Sequence, residues 1–157
     1  QVLLQEKLQA EITREARFNI ANAYLKQNDI PAAIDWFKKV AVEVNSTEGA
    51  ESKFRVAELA FKQGDIETAE KEINNFIDMN TPHAFWMGKS FLLLSDIFIS
   101  RNDEFQAVQT LQTVISYYTQ ENDGIKAEAI QKKKEITDKV NAKEAVPKTD
   151  QDEIKLQ

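Results

Sequence analysis

Apolar residues recur along this chain at spacings of three and four, and its Val and Ile residues do not alternate with polar ones as a half-buried strand requires. The pattern predicts an all-α protein. No breaker falls between Gln9 and Gln27, where Ile12, Ala16, Ile20, Ala23 and Tyr24 mark one apolar face. Asn28 suits the left-handed residue that ends a helix. Asp29 is placed to cap the next one, with Pro31 in its first turn. That second helix carries Ala33, Ile34, Phe37, Val40 and Ala41 and stops at Asn45-Ser46-Thr47.

The same plan returns twice. A helix over about Glu48 to Gln63 stops at Gly64, and Asp65 caps the helix holding Ile66, Ala69, Ile73, Phe76 and Ile77. Thr81-Pro82 reads as a helix start, Thr as cap and Pro as first helical residue. A third pair then runs to about Arg101 and, after Asn102-Asp103, from Glu104 to Tyr118. Aligned copies are offset by 36 and then 38 residues, the signature of a helical solenoid. The predicted organisation is an array over 1–144 with repeats at about 14–46, 48–80 and 82–119. A capping helix follows over about 124–143, its thin apolar face made by Ile125, Ala129, Ile136 and Val140. Residues 1–8 form a ragged amino-terminal edge. The tail, 145–157, is too polar to offset its ordering entropy. The chain begins with Gln1 and is read as a piece of a longer protein. Val2, Leu3 and Leu4 are expected to mark the edge left by an upstream partner, exposed or covered by a second copy.

Slot by slot the repeats resemble the tetratricopeptide repeat, an antiparallel helix pair of about 34 residues. Ala21, Ala57 and Ser95 occupy the small slot of the first helix, preceded by Ile20, Val56 and Leu94. Tyr24, Ala60 and Phe98 fall in its aromatic slot, and Asn28, Gly64 and Asn102 at the turn. Ala33, Ala69 and Ala107 are the small residues of the second helix, and Phe37, Ile73 and Leu111 its bulky ones. The sequence departs from the family where Arg17, Lys53 and Phe91 replace the signature Trp, and where Val40, Phe76 and Val114 replace a late Ala. The resemblance implies a right-handed superhelical stack of about three helix pairs plus a carboxy-terminal cap. The stretches Thr47–Leu59 and Phe76–His83 are also similar to the carboxy-terminal end of long bacterial multi-repeat members. That likeness implies an interaction protein, with the bacterial cell envelope or periplasm slightly favoured over the cytoplasm.

The resemblance also implies a concave groove lined by the first helix of each pair. Its groove-facing residues would be Phe18, Asn22, Leu25 and Lys26; Phe54, Glu58, Phe61 and Lys62; and Leu92, Asp96, Ile99 and Ser100. An apolar floor edged by Glu58, Asp96, Lys26 and Lys62 suits an amphipathic helix or an extended segment. Plain packing between repeats is the competing reading for Phe18, Phe54 and Leu92. Chaperone-binding members of the family clamp a partner's terminal carboxylate with several polar and basic side chains. Here Phe18, Phe54 and Leu92 stand at those places and only Asn22 fits, so no such clamp is expected.

Charge narrows the partner further. The net charge is −6 and the pI about 4.9, which disfavours nucleic acid and anionic membrane surfaces. Lys132-Lys133-Lys134 is read as the solvated face of the cap. Without cysteine there is no thiolate chemistry or disulfide. No apolar run approaches the roughly 20 residues that span a bilayer. His83, the single histidine, is read as solvated at a helix start, and Phe85 and Trp86 as wedges against the preceding helix. No catalytic, cofactor or metal constellation is visible. The expected function is a non-enzymatic protein–protein interaction module that binds protein partners through the groove. The alternative is a structural segment that caps a longer solenoid whose binding surface lies upstream.

Overall fold

The computed structural model describes residues 2–144; the expected polar tail over 145–157 lies outside them. Seven α-helices follow one another: α1 (Val2–Lys26), α2 (Ile30–Val40), α3 (Thr47–Lys62), α4 (Ile66–Asp78), α5 (Ala84–Ser100), α6 (Glu104–Tyr117) and α7 (Ile125–Glu144). A 3₁₀ turn at Ala41–Glu43 closes α2.

Each hairpin turn uses one device. Asn28, Gly64 and Asn102 sit at φ 59°, 81° and 58°, the left-handed conformation that ends a helix. The following Asp then caps the second helix. Asp29, Asp65 and Asp103 accept from the backbone N–H of Ala32, Thr68 and Gln106 at 3.2, 3.1 and 3.0 Å. Small residues mark the helix crossings: Ala21, Ala57, Ala33, Ala69 and Ala107 are fully buried, and Ser95 is nearly so.

Three apolar clusters run through the stack. Ala21, Ala33 and Phe37 pack with Val56 and Leu59. Phe54, Ala57, Ile73 and Phe76 pack with Leu93, Leu94 and Ile97. Leu92, Leu111 and Val114 pack with Ile125 and Ala129 of α7. Each cluster thus joins one helix pair to the next element, and no pair closes its core alone. Successive first helices touch: α1 with α3, α3 with α5, and α5 with α7. Among the described residues α2 and α4 do not touch, nor do α4 and α6. The second helices splay apart, so the row of first helices forms the inner side of the stack.

Four expectations change. Residues 1–8 are no separate edge, because α1 is one helix from Val2 to Lys26 with no breaker to interrupt it. Of the expected stripe, Ile12, Ala16, Ile20 and Ala23 are exposed and only Tyr24 is half-buried; the covered side of α1 is carried by Arg14, Phe18, Ala21, Tyr24 and Leu25. That side wins because α2 and α3 approach from it, and Arg14 reaches Glu43 at 2.8 Å and Glu48 at 3.2 Å. Helix α5 starts at Ala84, two residues after Pro82. Thr81 does not cap it: its buried hydroxyl donates to the carbonyl of Val44 at 2.9 Å, tying this turn to the one before α3. Finally, Lys132 and Lys133 are not merely solvated. They reach Asp96 of α5 and Gln112 of α6, each at 2.6 Å, and fasten the capping helix to the third pair.

Candidate protein-interaction surface

The inner side is built by α1, α3 and α5, and only part of it is open. On α1, Phe18 is half-buried with its ring edge-on to Phe37 at 6.0 Å. Asn22 is half-buried and donates to the carbonyl of Phe18 at 3.0 Å, so its amide is held in place. Leu25 is half-buried against the first cluster, and Lys26 is exposed.

On α3, Phe61 is half-buried against the second cluster and Lys62 is exposed. Glu58, on the same helix, accepts from Arg55 at 2.8 Å and from Lys62 at 3.0 Å. Burial pushes the Glu58 carboxyl up, but those two cationic donors outweigh it and hold it below the usual glutamate range. Arg55 also reaches Glu51 at 3.2 Å and lies 5.7 Å from the Trp86 ring centre. Arg55 is not among the groove-facing residues that the family pattern implies, although the spacing Glu51, Arg55, Glu58, Lys62 is the signal for such a ladder on one helix face.

The remaining candidates are drawn elsewhere. Phe54 is only 4% exposed and belongs to the core, because Trp86 of α5 closes on it at 5.5 Å. Leu92 is 2% exposed for the same kind of reason, covered by the cluster that α7 completes. Asp96 is engaged by Lys132, and Ile99 borders a small cleft shared with Ile136 and Lys139 of α7. The Ser100 hydroxyl donates to the carbonyl of Ile97. The structure therefore brings together Phe18, Asn22, Leu25, Lys26, Glu58, Phe61 and Lys62 on two touching helices. Asp96 is engaged by Lys132 of the capping helix, while Ile99 stays 37% exposed at the edge of a cleft that this helix borders.

Two other concavities lie beside the third pair. An apolar cleft of about 200 Å³ between α5 and α6, lined by Met87, Phe91, Val114 and Tyr117, is smaller than ordinary ligand pockets. A larger hollow of about 840 Å³ follows the polar α6–α7 loop. Beside it Tyr118 donates a short hydrogen bond to Asp123. Burial first, and then this carboxylate, push the phenol well above its ordinary value. His83 is no free solvated side chain: its Nε2 lies 2.9 Å from the carbonyl oxygen of Asn45 and secures the start of α5. Among the described residues no group of three or more His, Asp or Glu side chains is placed to hold a metal, and no helix is long and apolar enough to cross a membrane.

Helix pairs stacked in register, with the small slots buried and the first helices innermost, define a helical-repeat solenoid. The tetratricopeptide-repeat family profile matches residues 15–41. Two crystal structures of MamA share the fold at a TM-score of 0.53 and 20% sequence identity. One is matched over 89% of this chain and 86% of that protein, the other over 96% and 82%. No curated protein matches the sequence. The chain thus matches a tetratricopeptide repeat over residues 15–41, and over the described residues it shares the stacked helix-pair fold of MamA.

Proposed function

We propose that the protein binds a segment of a partner protein across the inner faces of α1 and α3. The observation that carries this reading is the patch of half-buried Phe18, Leu25 and Phe61 flanked by exposed Lys26 and Lys62. Half-buried apolar side chains on a preformed scaffold offer area to a ligand at little ordering cost to the receptor. The exposed edge charges are cationic, while Glu58 is already engaged by Arg55 and Lys62. The segment that fits has an apolar face and carboxylates beside it, as an amphipathic helix or an extended strand.

A second reading, a terminal unit that mainly caps a longer solenoid, is favoured by one observation: Lys132 of α7 engages Asp96 on the inner side of the third pair. The two readings separate by affinity capture from source-cell extract. Phe18→Asp with Phe61→Asp is expected to lose partners that the parent chain recovers, whereas Gln109→Asp on exposed α6 retains them. Identical partners from all three chains would remove the groove reading.

A further inference from the structure

We infer that a segment of this same chain, Asp150–Leu156, is an intramolecular ligand of the inner face; the inference rests on the reading of that face given above. The inner helices and the cap run the same way. Arg14 meets Glu48, Phe54 meets Trp86, Lys89 meets Glu128 and Lys132 meets Asp96. Leu25, Phe61 and Ile99 take the same place in the three repeats, at offsets of 36 and 38 residues. Leu25 and Phe61 are half-buried and Ile99 is 37% exposed. Ile99 shares its cleft with Ile136 and Lys139 of α7. An apolar track therefore crosses the inner side at one level, from α1 to the last turns of α7.

This level is also where cations stand. Lys26 and Lys62 are the last residues of α1 and α3, and both are exposed. The carboxylates nearby are engaged: Glu58 by Arg55 and Lys62, Asp96 by Lys132, and Glu104 by Lys143. The far end of the track thus presents positive charge in a chain whose net charge is −6.

Helix α7 delivers the chain to the near end of the track. It runs to Glu144, and Lys143 reaches Glu104 at the start of α6, just past the end of α5. The sequence then leads to Asp150-Gln151-Asp152-Glu153-Ile154-Lys155-Leu156, where Asp150–Ile154 holds three carboxylates and no cation. Along an extended backbone Asp150, Asp152, Ile154 and Leu156 fall on one side. Such a segment is apolar and acidic, the chemistry that suits the inner face. Its reach is sufficient. The ten residues from Ala145 to Ile154 span up to about 33–36 Å when extended. Three steps from α7 past α5 and α3 to α1 cover about 24–30 Å at ordinary helix spacings. Tethering gives the segment a high effective concentration, so docking needs little intrinsic affinity. The segment then competes with a partner for the same face.

Paramagnetic broadening in the whole chain tests this, helped by the lack of native cysteine. A spin label at Gln151→Cys lies on the side of the extended segment away from Ile154. It is expected to broaden the amides of Phe61 and Lys62 at least about twofold more than that of Gln109 on α6. Asp150→Asn with Asp152→Asn and Glu153→Gln should abolish that excess. Mixing isotope-enriched unmodified chain with unenriched spin-labelled chain should give no excess. Equal broadening at Phe61 and Gln109, an excess indifferent to neutralisation, or an excess that arises between copies overturns the proposal. Partner capture that still depends on Phe18 and Phe61, while the label shows no docking, overturns the tail inference alone and leaves the inner-face reading standing.

Discussion

The Lys132 ammonium lies 2.6 Å from the Asp96 carboxylate, joining helices whose paired residues are 36 positions apart. Both side chains keep partial access to water, at 25% and 40%. Such a pair is worth about 0–1 kcal/mol. Ile125, the first residue of α7, packs with Leu92 and Leu111 and is 1% exposed. Replacing a buried Ile by Ala costs about 2–5 kcal/mol. Packing, more than the ion pair, holds the cap in place. Urea unfolding should show Lys132→Ala close to the parent and Ile125→Ala clearly weaker.

The two helical glycines differ in what a methyl group would meet. At Gly49 an added Cβ would lie 2.0 Å from the backbone carbonyl oxygen of Glu43, in the 3₁₀ turn. At Gly88 it would meet side-chain tips, Ile125 Cγ2 at 2.7 Å and Tyr118 Cε2 at 2.9 Å. Gly→Ala gains about 1 kcal/mol of helix propensity at either place. Side-chain tips can shift and a turn's backbone cannot without breaking its bonds. Thermal melts should show Gly88→Ala within about 1–2 kcal/mol of the parent and Gly49→Ala lower than both.

The three capping aspartates make one prediction in triplicate. Asp29→Ala, Asp65→Ala and Asp103→Ala should each cost about 0.5–2 kcal/mol in chemical denaturation, since each leaves a first-turn N–H without its acceptor. Asn at the same positions should recover most of the loss. Equal stability of the alanine variants and the parent would contradict the capping assignment.

Glu58 links the inner face to pH. Its folded-state value lies below the ordinary one, so its bonds to Arg55 and Lys62 contribute fully above the unfolded glutamate value of about 4.3. That contribution is lost as pH falls through the lower folded value. Stability measured from pH 7 downward should therefore fall less steeply below about pH 4.3 in Glu58→Gln than in the parent. Superimposable acid limbs would contradict the ladder.

The periodic part of the fold was legible in the sequence because it is local. The small slots at Ala21, Ala57 and Ser95, and the turn residue followed by Asp, express crossings and caps that recur every 36 to 38 residues. The misread features depend on neighbours far along the chain. Phe54 admits two readings in the sequence, groove floor and packing between repeats, and Trp86, 32 residues later, decides for packing. Thr81-Pro82 had a capping pattern, but the Thr81 hydroxyl found the Val44 carbonyl, 37 residues earlier. On α1 both faces carry apolar residues. Periodicity selects Ile12, Ala16, Ile20, Ala23 and Tyr24, and the approach of α2 and α3 keeps only Tyr24 of these, beside Phe18, Ala21 and Leu25. On α1 and α3 the inner positions keep half-buried Phe18, Leu25 and Phe61 beside exposed Lys26 and Lys62, whereas at the third repeat a capping helix with little apolar face brings Lys132 to Asp96.

Partner binding by the inner face is tested most directly by photo-crosslinking. A photoreactive residue is placed in turn at Lys26, at Lys62 and at Gln109, and the attached partner peptides are sequenced. The expected result is one contiguous apolar and acidic segment captured from both Lys26 and Lys62, and not from Gln109. Adducts that favour Gln109, or unrelated peptides at the two inner positions, would contradict binding across α1 and α3.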